Sequence, residues 1–150
     1  MLSFSKKLLY AIEAVADIAY NTGGEPVQSG DITQRQGIPR RYLEPVLQQL
    51  VRAGILAGVR GPKGGYRLAR ERRRITLGDI TRVVCAVDDD EGPDVTTKSE
   101  IGVKVIQPMW DGLQRACMTR LDEITIEELC RQARGVGVES EAFRRLDYTI

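Results

Sequence analysis

The sequence predicts a mainly α-helical protein with one small β-hairpin, a winged helix-turn-helix followed by a long C-terminal helix. Three observations predict it: apolar residues recur at three- and four-residue spacing through most of the 150 residues, two short β-capable runs flank a glycine-rich turn, and helix start and stop signals bracket the periodic segments.

Leu8, Leu9, Ile12, Val15, Ala16 and Ala19 lay an apolar face along a first helix from Ser5 to Tyr20, and Asn21-Thr22-Gly23-Gly24 ends it. Val27 through Gln36 read as a short second helix, stopped by Gly37. Pro39 is acceptable in a first turn, and Tyr42, Leu43, Val46, Leu47, Leu50 and Val51 give the third helix its stripe, ending near Gly54. The short break at Gly37-Ile38 makes the second and third helices a helix-turn-helix. Ile55 to Arg60 and Tyr66 to Ala69, joined by Gly61-Pro62-Lys63-Gly64-Gly65, form the hairpin, or wing. Thr76 and Asp79 have capping-box spacing and open a helix through Ile80, Val83 and Val84. Acidic residues from Asp88 to Asp94 then end regular structure. Ile106, Met109, Trp110, Leu113, Ala116, Cys117 and Leu121 recur over four turns, and their periodicity fits an internal core and an interface between copies equally. A second capping box, Thr125 to Glu128, starts a last helix that Gly135 ends. The expected division is a winged helix-turn-helix domain over 1–86, an acidic junction over 87–99 and a helical region over 100–150, which the family resemblance given below makes the DNA-binding and dimerisation regions.

Composition narrows the chemistry. With 42% hydrophobic and 29% charged residues the chain has the make-up of a globular domain, and it contains no histidine. That excludes histidine-based triads and a histidine pH switch. Cys85, Cys117 and Cys130 are too far apart for a CxxC pair and odd in number, so they form no closed disulfide set, which fits a reducing cytoplasm. Each reads first as a small buried hydrophobe; a redox role would need an exposed thiolate among the arginines near Cys117 and Cys130. Glu13 and Asp17 interrupt the most apolar N-terminal stretch, so no membrane partner is expected. No cofactor and no catalytic constellation are expected either. The net charge of +1 conceals an asymmetry: residues 1–82 carry a net +7 and residues 83–150 a net −6. The basic half suits a polyanion.

The reading side chains sit where a winged helix meets double-stranded DNA. Arg40, Arg41, Tyr42 and Glu44 crowd the first turns of the third helix, the element that enters the major groove. Arginine pairs bidentately with guanine and glutamate accepts from cytosine, so this set suits base reading; the alternative is that Glu44 pairs with Arg40 or Arg41 on the helix surface. Arg60, Lys63 and Gly64 give the wing tip positive charge and little bulk, suiting close approach to the backbone or minor groove. Ser5, Lys6 and Gln34 are assigned to phosphates.

Tyr10-Ala11, Arg40 to Glu44, Leu50 to Leu56, Val59 to Tyr66 with its RGPKGGY wing, and Ile75 to Ile80 together resemble the Rrf-type family of bacterial winged-helix transcription regulators over nearly the whole chain. The resemblance implies a homodimer whose long helices cross, with Ile106, Met109, Trp110, Leu113, Cys117 and Leu121 at the interface and two winged helices on successive major grooves of a palindromic operator. It implies a transcriptional regulator, read here as a repressor. Cluster-binding members carry three closely spaced cysteines before the long helix, whereas Glu91 to Met109 here holds neither cysteine nor histidine. The expectation is therefore regulation without an iron–sulfur cluster. Pro45, inside the third helix, is a further departure and is expected to bend it. A small-molecule effector, a metabolic enzyme docking on the acidic half, and a cysteine-based redox response are the alternative controls.

Overall fold

The computed structural model describes residues 5–88 and 98–142, with side chains omitted at 86–88; most of the acidic stretch assigned to the junction therefore lies outside the described residues. The chain forms α1 (Lys6–Asn21), α2 (Ser29–Gln36), α3 (Arg40–Arg52), β1 (Leu56–Val59), β2 (Gly65–Leu68), a 3-10 turn (Arg72–Arg74), α4 (Leu77–Asp88), a π-helical turn (Gly102–Ile106) running into α5 (Gln107–Glu123), and α6 (Ile126–Gly135). Val87 and Asp88 thus continue α4, because nothing before them stops the helix.

α1 is the central post. Its Ser5 cap accepts a hydrogen bond from the Leu8 amide at 3.3 Å, and Leu8, Ala11, Val15 and Ile18 are buried. Around it pack Ile32 of α2, Leu43, Leu47 and Leu50 of α3, Ile80 and Val84 of α4, and Ile126 and Cys130 of α6. The C-terminal part is therefore no separate layer. Backbone bonds from Leu77 N to Ile124 O and from Ile126 N to Ile75 O, both 2.9 Å, stitch α6 onto the start of α4. The first capping box is reciprocal: the Asp79 amide donates to Thr76 Oγ1 at 3.0 Å and the Thr76 amide to Asp79 Oδ2 at 3.1 Å. At the second, Thr125 Oγ1 accepts from the Glu128 amide at 3.1 Å.

Other boundaries differ from the sequence reading too, Asn21 closing α1 instead of opening the break after it. Val27 lies outside α2: its N–H donates to the Tyr66 carbonyl and its carbonyl accepts from the Tyr66 N–H, both at 2.8 Å, so it adds an isolated bridge to the sheet. At the end of α6, Gly135 is still helical, and Gly137, at φ +82°, takes the left-handed conformation that turns the chain. Gly37, at φ +68°, does stop α2.

The long apolar stripe is divided between two environments. Leu121 packs on the core and Cys117 is half-buried, whereas Ile106, Met109, Trp110 and Leu113 are exposed, joined by Ile101, Val103 and Val105 from the turn before them. Near its C-terminal end α5 is clamped to α4: Arg82 donates twice to Asp122, at 2.9 and 2.6 Å, and Gly78 leaves no room for a side chain beside Asp122. The Arg82 guanidinium beside Asp122 lowers that carboxyl's pKa.

Candidate nucleic-acid interface

α3 and the wing share one face of the molecule. Four of its apolar residues, Leu43, Val46, Leu47 and Leu50, point into the core, which forces the intervening side chains outward. Arg40, Arg41, Glu44, Pro45 and Gln48 line a concavity together with Tyr66 of β2. A neighbouring concavity runs from Gln48 and Val51 to Arg60, Gly61 and Gly64 at the wing tip. Gln48 Nε2 donates to the Tyr66 hydroxyl at 3.2 Å and so ties the helix to the sheet.

Local contacts set the poise of each candidate side chain. Arg40 Nε donates to Glu44 Oε1 at 2.9 Å, so the surface pairing weighed for Glu44 is present. The two side chains are 69% and 50% exposed, and an exposed pair of this kind contributes only about 0–1 kcal/mol, so DNA can compete for both. Arg41 lies over the Tyr42 ring, 4.8 Å from its centroid, and Tyr42 in turn sits 6.4 Å from the ring of Tyr10. α3 continues through Pro45, which costs the single intrahelical bond to the Arg41 carbonyl.

The wing is shaped by backbone crowding. Gly61 has φ +113°, and its carbonyl accepts from the Gly64 amide at 2.9 Å, closing a tight tip. A Cβ at Gly64 would lie 2.3 Å from the Val59 carbonyl oxygen, and one at Gly65 2.5 Å from that of Val27. Both positions therefore need glycine, the second because of the Val27 bridge. Arg60 and Lys63 are exposed at the tip.

Ser5, Lys6 and Gln34 lie outside both concavities. Lys6 and Gln34 are exposed, while Ser5 already uses its hydroxyl oxygen as the α1 cap. Gln48 and Tyr66, which line the same concavities, were not singled out from the sequence. The signal was present for Gln48, four residues after Glu44 on the same helical face, but for Tyr66 it depended on the sheet register that pairs it with Gly58.

A buried ion pair holds the helix-turn-helix in place from behind. The Asp17 side chain is fully buried on α1 and accepts from Arg35 Nε and Nη2 at 2.9 and 2.8 Å and from Gln36 Nε2 at 2.7 Å. This joint fixes the end of α2, which only three residues separate from α3. Its hydrogen bonding raises the Arg35 pKa.

Among the described residues no helix is long and apolar enough to cross a membrane. Residues 4–132 match the model of the Rrf2 family, described as an iron-dependent transcriptional regulator. The HTH-type transcriptional regulator IscR of Vibrio atlanticus is 34% identical over 136 residues, 87% of this chain and 76% of that protein. Among solved structures, the T. potens IscR superimposes with TM-score 0.73 at 32% identity, covering 92% of this chain and 93% of that one. CymR, the global cysteine regulator of B. subtilis, gives TM-score 0.70 at 31% identity, covering 88% and 98%. With a winged helix that displays arginines on one face and these relatives over most of its length, the chain belongs to the Rrf2 family of DNA-binding transcriptional regulators, a family of regulators and not of enzymes.

Proposed function

We propose that the chain acts as a homodimeric repressor that occupies a palindromic operator. The observation that carries this reading is the exposed apolar surface from Ile101 to Leu113, on the π-helical turn and the first turns of α5. Exposed hydrophobes at this density favour a covered surface, and a second copy supplies the same stripe by two-fold symmetry. Such a dimer presents two α3 helices, and occupancy alone blocks transcription without a further contact. In each half, Arg40, Arg41, Tyr42 and Glu44 read bases, Arg60, Lys63 and Gly64 approach the backbone or minor groove, and Ser5, Lys6 and Gln34 meet phosphates. Sedimentation equilibrium tests the assembly: a dimer is expected, and a monomer at every concentration would remove this reading.

We further propose that regulation proceeds without an iron–sulfur cluster. The donor set supports this. Histidine is absent from the chain, the three cysteines stand on α4, α5 and α6, and among the described residues no three Cys, Asp or Glu side chains gather as metal ligands. Cys130 is buried and its burial pushes its thiol pKa up, which also disfavours it as a redox-active thiolate. Anaerobic purification followed by iron analysis tests it: an iron-free protein that still selects DNA is expected, and iron whose loss changes DNA binding would overturn it.

A further inference from the structure

Arg40 and Arg41 stand side by side at the start of α3 and are held in different ways. Arg40 gives its Nε–H to Glu44, and the four-residue spacing explains that pair. Arg41 instead lies over the ring of Tyr42, its immediate neighbour in the chain. Helical geometry does not supply this contact, because consecutive side chains leave a helix about 100° apart and do not face each other. The orientation of the Tyr42 ring therefore decides whether it forms. On α1, Tyr10 is placed to set that orientation: its ring centroid is 6.4 Å from that of Tyr42 with the planes inclined at 35°, within the range of favourable aromatic pairs. The two rings differ in freedom. Tyr42 is 50% exposed, whereas Tyr10 is half-buried against the core, next in the chain to the fully buried Ala11.

An anchored ring, an exposed ring and a guanidinium thus form a relay from the core to the surface. We infer that, given the base-reading role proposed above for Arg41, Tyr10 is a positioning residue for DNA recognition: through Tyr42 it holds the Arg41 guanidinium ready for a base edge. A guanidinium already held by a ring loses less side-chain freedom when it meets DNA. The ring contact also draws on the charge of Arg41 alone. Among the described residues no hydrogen bond or ion pair occupies its N–H groups, which leaves them for the two acceptors of a guanine edge. Arg40, by contrast, has to release Glu44 before it can do the same. The relay ends on one side chain, so its loss should reach the preference at one position of each half-site and leave the phosphate contacts alone.

Two measurements on the full chain test this, the first with no DNA present. By NMR, the side-chain protons of Arg41 are expected upfield of their random-coil positions in the native chain and in Tyr10→Phe, shielded by the Tyr42 ring, and to move back toward those positions in Tyr10→Leu. Random-coil positions in the native chain would overturn the proposal whether or not any variant folds, and native positions in Tyr10→Leu would overturn it too. The second measurement is competition binding between the site the native chain selects and the same site altered at the base pair where Arg41→Ala loses preference. Tyr10→Leu should lower that preference about 2- to 5-fold, with the salt slope and the helical spectrum unchanged, and Tyr10→Phe should keep it. In the Arg41→Ala background Tyr10→Leu should cost nothing more, because the two act as one unit. An equal further loss in that background would overturn the relay, and a loss for all sequences alike in Tyr10→Phe would assign the Tyr10 hydroxyl to a phosphate instead. A native chain that selects no sequence, with the shielding of Arg41 intact, would overturn the base-reading role itself. A selected site whose preference Arg41→Ala changes and Tyr10→Leu does not would overturn the role of Tyr10 alone.

Discussion

Two helices of nearly equal length, α1 with 16 residues and α5 with 17, meet opposite fates. α1 buries eight of its residues, Asp17 and Asn21 among them, whereas α5 fully buries none. Both have apolar side chains at helical spacing. The difference teaches that periodicity marks an apolar face without naming its partner: α1 buries its face against four other helices of its own chain, while Met109, Trp110 and Leu113 on the first turns of α5 stay exposed. A central post and an open stripe are what a subunit needs if its fold is complete but its assembly is not.

The largest effect should come from the buried side of this comparison. Arg35→Ala leaves the Asp17 carboxylate inside the protein with Gln36 as its remaining side-chain donor, and should cost about 3–5 kcal/mol of stability by denaturant unfolding. A loss below about 1 kcal/mol would show that the joint does not hold α2. On the open side, Met109→Asp should cost about 2–4 kcal/mol of association, because it puts an unpaired charge into the apolar stripe. The variant should sediment as a folded monomer with an unchanged helical spectrum, whereas unfolding would mean that the stripe is core after all.

Between these regions lies the reading face, where smaller changes are expected. Arg41→Ala should weaken specific binding by about 1–3 kcal/mol and relax operator preference in a competition assay. Lys63→Ala should lower affinity for all sequences alike and reduce the slope of log affinity against log salt by about 1. The smallest effect concerns the α4–α5 clamp. Asp122 has a lower pKa folded than unfolded, so its contribution to stability is present above the unfolded pKa and disappears as pH falls through the folded one. Asp122→Asn should therefore flatten the acid limb of midpoint against pH below about pH 4, and an unchanged limb would mean that the clamp contributes nothing.

Local chemistry was legible in the sequence wherever a signal lay within a few residues. Thr76 with Asp79, Thr125 with Glu128, and Gly37 after Gln36 all named their boundaries because caps and left-handed stops act within one turn. The exposure of the α3 arginines was legible for the same reason, since exposed side chains between buried leucines follow from helical spacing alone. Contacts spanning longer separations were not. Val27 read as helical until its bridge to Tyr66 was seen, and Asp17 gave no sign of the arginine 18 residues away that compensates its burial. The π-helical turn at Gly102–Ile106 carries no periodicity of its own, so the sequence reading passed over it.

The central claim is that paired winged helices read a palindrome through the first turns of α3. Its most direct test is selection of bound fragments from a random double-stranded DNA pool by the full-length protein and by Arg41→Ala in parallel. The account predicts that the native chain enriches a two-fold symmetric site with half-sites about 10–10.5 base pairs apart, or a multiple of that, and that the variant loses preference at one position in each half. Enrichment of no sequence above the starting pool, or of the same site with the same preference by both proteins, would contradict it.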